Sequence, residues 1–271
     1  MTHTESRPES RLPNAASGKV YLVGGGPGDP ELLTLKAVRV ISEADAILYD
    51  QLLNPEVLRH SRADAELFFV GKKKGDHTFK QSEINELLYE LSQRHRVVAR
   101  LKGGDPLTFG RGGEEYEHLA RRGVECEIIP GITSAVASSA SFGLPLTHRE
   151  FASSVTFATG HASANGTPES FAGFELKGRT LVVYMGLSAV DRIMGELRCV
   201  PANQGTPAAV VEKASRPRQR ILFGTIETLP EIVRQSKVES PALIVVGDAV
   251  RFAENVAELR ARMVAPVKTE V

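Results

Sequence analysis

The chain has 271 residues, 42% of them hydrophobic and 24% charged, and its 33 Lys plus Arg balance 33 Asp plus Glu. That size supports one large or two modest globular domains, and the charge balance excludes a protein that works by non-specific attraction to nucleic acid or an anionic membrane. No apolar stretch approaches the roughly 20 residues of a membrane-spanning helix, and Cys126 and Cys199 stand apart from any disulfide or zinc pattern, which points to a reducing cytoplasm.

Residues 1–17 are polar, lack an apolar signal core and read as a disordered tail. A strand is predicted over 20–23 and a helix over 31–41 with Leu32, Leu35 and Val38 on one face; strands over 46–49 and 67–70 follow. Residues 81–91 carry Ile84, Leu87, Leu88 and Leu91 at helical spacing. A strand over 97–101, a helix over 113–122 ended by Gly123 and a strand over 124–129 continue the alternation, which predicts a mostly parallel sheet with helices on its faces. A small-residue helix over 133–142 stops at Gly143-Leu144-Pro145, where the domain junction is expected. Strands at 155–158, 180–184, 208–212, 220–223 and 242–246 then dominate, with helices over 188–197 and 226–235. The short step between the third and fourth of these strands predicts a hairpin and hence a mixed sheet. The expected division is 18–143 and 144–263, with a second tail over 264–271.

Two glycine clusters follow strands: residues 24–30 (GGGPGDP) and 102–106 (KGGDP). The first fails the dinucleotide fingerprint, because Asp29 stands where G-x-G-x-x-G needs its last glycine, and two prolines stiffen the loop. The Walker pattern is absent. Both loops are expected at the carboxyl edge of the sheet, where glycine lets backbone amides approach a polar ligand without side-chain obstruction.

The segments GGGPGDPELLTLKA (24–37), YDQLL (49–53), GKKKGDHTFKQ (71–81), RLKGGDPLTFGRGGEE (100–115), PGITSA (130–135) and GLPLTHR (143–149) occur in this order. Together they resemble the uroporphyrinogen-III C-methyltransferase branch of the tetrapyrrole methylase family, over residues 19 to about 252. The resemblance implies an α/β fold of two domains, a mostly parallel N-terminal sheet and a mixed C-terminal sheet, with S-adenosylmethionine held in the cleft between them and commonly a homodimer. It implies transfer of two methyl groups to ring carbons of uroporphyrinogen III, giving precorrin-2 on the way to siroheme and cobalamin, with S-adenosylhomocysteine as by-product and no metal. Some relatives carry a preceding dehydrogenase/chelatase module, which the short N-terminal segment here leaves no room for.

Carried over by position, the cofactor contacts are Pro27, Gly103, Gly104, Asp105, Thr108, Thr133 and Ser134 in the first domain and Met185, Ala214 and Ala242 in the second. The resemblance gives Asp50 the role of base and Lys72 that of acid. A substrate that bears many carboxylates needs local positive charge, for which Arg100 and Arg111 are the candidates, with Lys102, His148 and Arg149 as further cations. No histidine or carboxylate pair has metal-ligand spacing. Rival readings are a later precorrin C-methyltransferase, an RNA ribose methylase, which the neutral charge balance opposes, and a non-catalytic S-adenosylmethionine sensor, which would lack Asp50 and Lys72.

Overall fold

The computed structural model describes residues 18–71, 79–161 and 166–264. Lys72, the neighbouring Lys73 and Lys74, and the tails expected at 1–17 and beyond 264 lie outside the described residues. The first sheet has five parallel strands in the order β3-β2-β4-β1-β5, namely β1 (Lys19–Gly24), β2 (Ala46–Tyr49), β3 (Glu66–Phe69), β4 (Val97–Lys102) and β5 (Cys126–Ile129). It is therefore wholly parallel, and both its faces are covered, as parallel sheets require. Val20 and Leu22 of β1 pack under α2 (Gln81–Ser92) and α3 (Gly112–Arg121), against Leu88, Leu91 and Leu119. Val23 faces the other way, onto Ala37, Val40 and Ile41 of α1 (Leu35–Glu43). Each such fully buried aliphatic side chain contributes about 1.5–3 kcal/mol.

The first helix differs from expectation. Asp29 caps a single 3-10 turn over Pro30–Leu32, accepting the Glu31 amide at 2.9 Å, and the chain extends again at Leu33. Thr34 then caps α1 by accepting the Ala37 amide at 3.1 Å. The extended Leu33 and the new cap at Thr34 split the apolar run, so Leu35 is 90% exposed instead of sharing a buried stripe with Leu32 and Val38.

The second sheet has the order β6-β7-β10-β8-β9, with β6 (Ser154–Thr159), β7 (Arg179–Tyr184), β8 (Pro207–Glu212), β9 (Arg220–Thr225) and β10 (Ala242–Val246). Only β6 and β7 are parallel; β8 and β9 form the expected hairpin, with Glu212 opposite Arg220. Leu181, Val183, Val210 and Ile244 face α5 (Val190–Arg198) and α6 (Leu229–Gln235). The opposite face receives Val250 and Ala253 of α7 (Ala249–Val264), a helix not foreseen from sequence. It also receives Leu144 and Ala135, the latter from α4 (Ser134–Phe142). The last helix before the expected junction thus packs in the core of the second sheet and ties the two halves together. Among the described residues, no helix is long and apolar enough to cross a membrane.

Candidate active site

Parallel strands bring all their carboxyl ends to one edge. The adjacent strands β1 and β4 send their connections to opposite faces, through α1 and α3, and a crevice opens between such loops. The loops after β1, β4 and β5 meet there, backbone against backbone. Gly26 and Gly104 exchange hydrogen bonds of 3.2 and 2.7 Å, and Gly25 donates to the Lys102 carbonyl at 2.7 Å. These amides, expected to face a ligand, are used between the loops. Asp105 braces the assembly: Oδ1 accepts from the amides of Leu107 and Thr108 at 2.9 and 3.0 Å, and Oδ2 from that of Gly131 at 3.1 Å.

Gly131 leaves no space for a side chain, since a Cβ there would stand 2.2 Å from the Gly104 carbonyl oxygen. Gly131→Ala is expected to force the loops apart, destabilising the protein by about 1–3 kcal/mol and weakening binding of S-adenosylhomocysteine. Calorimetry on the purified variant checks both, and unchanged affinity would mean that this loop contact does not shape the ligand site.

The crevice widens into a cleft of about 700 Å³ between the two sheets, within the usual size of small-molecule sites. Pro27, Gly103, Gly104, Asp105 and Thr108 line one side, together with Thr133 and Ser134. Met185, Ala214 and Ala242 line the other. Every cofactor position carried over by resemblance therefore faces one cavity. Tyr184, which sequence reasoning missed, joins the halves: its hydroxyl lies 2.7 Å from Thr133 Oγ1 and accepts the Ala135 amide at 3.2 Å. Phe109 packs on the same ring at 4.7 Å. Phe109, Arg111 and Met185 all hold left-handed backbone (φ 54°, 58° and 52°), a conformation that surrounding contacts must enforce and that gathers at ligand sites.

Beneath the cleft lies a charged network. Arg100 and Lys102, two apart on β4, project to the same sheet face, the one covered by α2 and α3. Glu115 of α3 is fully buried, and its Oε1 accepts from Arg100 Nε at 3.2 Å, Lys102 Nζ at 2.9 Å and Gln81 Nε2 at 3.2 Å. Arg100 Nη1 donates to the Leu101 carbonyl at 2.9 Å and Nη2 to Asp50 Oδ2 at 3.3 Å. Asp50, half-buried at the end of β2, also accepts the Leu52 amide at 3.0 Å through Oδ1. Arg100, anticipated as a substrate-facing cation, borders the cleft yet is almost fully buried, with Nε, Nη1 and Nη2 each bonded to a protein group, because strand parity turns it toward the helices. Burial lowers the Lys102 pKa, neighbouring Arg100 lowers it further, and Glu115 opposes both.

Arg111 stands at the exposed mouth, in a two-pronged pair with Glu114 at 2.8 Å for each contact. His161 borders the cleft. His148 stacks on Phe151 at 4.6 Å and does not line the cleft, and neither does Arg149. Sequence reading also overlooked Arg216, which reaches from the β8–β9 loop to the Pro27 carbonyl at 3.3 Å and to the Leu52 carbonyl. Nothing local marks Arg216 or Tyr184, since both work through contacts with the distant half of the chain. Glu115 and Gln81 had a weak signal in the two cations at i, i+2 on one strand. Among the described residues, no group of His, Cys, Asp and Glu is arranged to hold a metal ion.

Residues 19–230 match the model of the tetrapyrrole (corrin/porphyrin) methylases. A siroheme synthase of Pseudomonas aeruginosa (strain UCBPP-PA14) is 44% identical over 253 residues, which are 93% of this chain and 54% of that protein. The chain thus spans about half the length of the curated relatives it matches. Among solved structures, the uroporphyrin-III C-methyl transferase from Thermus thermophilus complexed with S-adenyl homocysteine is 41% identical, with a TM-score of 0.74 over 87% of this chain and 94% of that one. A cobalt precorrin-4 methyltransferase of cobalamin biosynthesis has a similar TM-score of 0.72, covering 86% of this chain and 95% of its own, at 27% identity.

Proposed function

The chain belongs to the tetrapyrrole methylase family, and from that premise we propose that it methylates two ring carbons of uroporphyrinogen III with S-adenosylmethionine, giving precorrin-2. The observation that carries this reading is the position of the Asp50 carboxylate at the rim of the cleft lined by Gly103–Asp105, Thr133 and Met185. The 41% identity to the Thermus enzyme against 27% to the cobalt precorrin-4 enzyme favours the early substrate over a later one. A non-catalytic sensor would have no use for Asp50 held on Arg100.

S-adenosylmethionine supplies, when bound, an electrophilic methyl on a sulfonium. A pyrrole carbon would form the new C–C bond as the C–S bond breaks with its electron pair kept by sulfur, and the macrocycle, whose methylated carbon carries no hydrogen, would then lose a proton from another position. The protein's share is to position both partners in line, exclude water and accept that proton. The residues around the cleft fit a folded nucleoside with an amino-acid tail: small residues (Gly103, Gly104, Ala214, Ala242) leave room, and Pro27 and Met185 offer apolar contact. Asp50 is the proton acceptor, held in one rotamer by Arg100 and the Leu52 amide. By resemblance Lys72 is the matching acid, and Arg111 meets a substrate carboxylate by exchanging it for Glu114. Arg100 acts on the substrate through Asp50.

The enzyme is further read as a cytoplasmic homodimer, the compartment supported by the free Cys126 and Cys199 and the assembly by the family resemblance. Anaerobic incubation with S-adenosylmethionine and uroporphyrinogen III tests the activity by mass spectrometry. A product heavier by two methyl groups is expected. No product from uroporphyrinogen III, alongside methylation of a later precorrin, would move the chain to the other branch.

A further inference from the structure

Among the described residues, four Arg and Lys side chains line the cleft, and three have carboxylate partners: Arg100 with Asp50 and Glu115, Lys102 with Glu115, and Arg111 with Glu114. Arg216 alone has none among the described residues. It is half-buried, and burial pulls its pKa down with no anion to oppose the shift. Its loop is held in an uncommon shape, with Lys213, Ser215 and Arg218 all at left-handed φ (53°, 55° and 68°). That loop crosses to the other half of the protein. The Asp29 amide donates to Ser215 Oγ at 3.2 Å, Arg216 Nε donates to the Pro27 carbonyl at 3.3 Å, and Nη2 donates to the Leu52 carbonyl. Gly28 completes the seat, because a Cβ there would lie 2.4 Å from Arg216 Cγ.

Two backbone dipoles orient the guanidinium without neutralising it, and Nη1 has no partner among the described residues. A partly desolvated cation of this kind is stabilised by an anion that arrives with the ligand. We propose that Arg216 is a specificity-determining residue that receives a carboxylate of the bound ligand, namely one of the acidic side chains of the tetrapyrrole. This rests on the methyltransferase reading above. The methyl donor also carries a carboxylate, and Arg216 is anchored both on Pro27, a proposed cofactor contact, and on Leu52, two residues from the proposed base. The tetrapyrrole is assigned because it brings several carboxylates against the donor's one, and the measurements below separate the two sources.

Steady-state kinetics of Arg216→Gln and Arg216→Lys, with calorimetric affinity for S-adenosylhomocysteine, test the assignment. For Arg216→Gln, KM for uroporphyrinogen III should rise about tenfold or more, as loss of one charge-assisted contact implies. S-adenosylhomocysteine affinity should stay within about twofold, and Arg216→Lys should recover part of the loss. Gly28→Ala, which displaces the guanidinium without changing its charge, should raise the same KM. An unchanged KM overturns the proposal. Weakened S-adenosylhomocysteine binding with an unchanged tetrapyrrole KM also overturns it and gives Arg216 to the methyl donor. If the wild-type chain does not turn over uroporphyrinogen III, the activity reading fails separately. Fluorescence titration with uroporphyrin III then decides the Arg216 question: weaker binding by Arg216→Gln upholds the carboxylate contact, and equal binding removes it.

Discussion

Replacing Asp50 by Asn is expected to lower kcat by about 10²–10⁴-fold, the usual worth of a positioned general base, with S-adenosylhomocysteine affinity unchanged. The substitution is nearly isosteric, so the amide oxygen still accepts from the Leu52 amide, as Oδ1 does at 3.0 Å. What disappears is the ability to take up a proton and the charge that draws Arg100 Nη2 to 3.3 Å. The proposed cofactor contacts sit on other loops, hence the separation of turnover from binding. Single-turnover assays with saturating S-adenosylmethionine measure the chemical step directly. If the variant retained a rate within about threefold of wild type, Asp50 would be left with its Asx turn and its ion pair, and the proton would need another acceptor.

The largest loss of stability is expected for Glu115→Ala. Wild-type Glu115 Oε1 collects hydrogen bonds from Arg100, Lys102 and Gln81 at 2.9–3.2 Å in a site without solvent contact. Deleting the carboxylate leaves two buried cations with only Asp50 nearby, and breaking a buried pair in this way costs about 3–5 kcal/mol. Glu115→Gln keeps an acceptor but not the charge and should fall between. The pH dependence follows from Lys102, whose folded pKa lies below its ordinary value of 10.5 because of burial and Arg100. Between the depressed value and 10.5 the unfolded chain binds more protons than the folded one, so this group's contribution to stability rises with pH across that window. Removing Glu115 removes the contact that opposes the depression, so the variant should regain more stability than wild type as pH rises toward 10.5. Urea denaturation at several alkaline pH values would show this. Equal slopes for variant and wild type would mean that Lys102 is not coupled to Glu115.

The strands were the most legible part of the fold. Runs such as residues 20–23, 46–49 and 242–246 are short, apolar and bounded by turn residues, and they form the central layers of both sheets. The first helix was less legible because apolar periodicity ignores capping. Leu33 ends one turn and Thr34 caps the next inside what reads as a continuous stripe. Arg100 shows a different limit. Its place in RLKGGDP marks a ligand-proximal strand end, yet the direction of its side chain depends on which sheet face α3 covers.

The sequence alone determined the strand–helix alternation, the family resemblance and, through that resemblance, the carried-over cofactor positions that line the cleft, because each of these is written in local spacing and motif. Tertiary structure decided what those residues do to one another. The pairing of β2 with β4, which puts Leu48 beside Arg100, brings Asp50 within reach of that guanidinium. The meeting of Gly26 with Gly104 closes amides that a single loop would leave open. The approach of the β8–β9 loop brings Arg216 to carbonyls 189 and 164 residues away in the chain. Partners so distant leave no periodic trace, because burial and charge compensation depend on which surfaces finally meet.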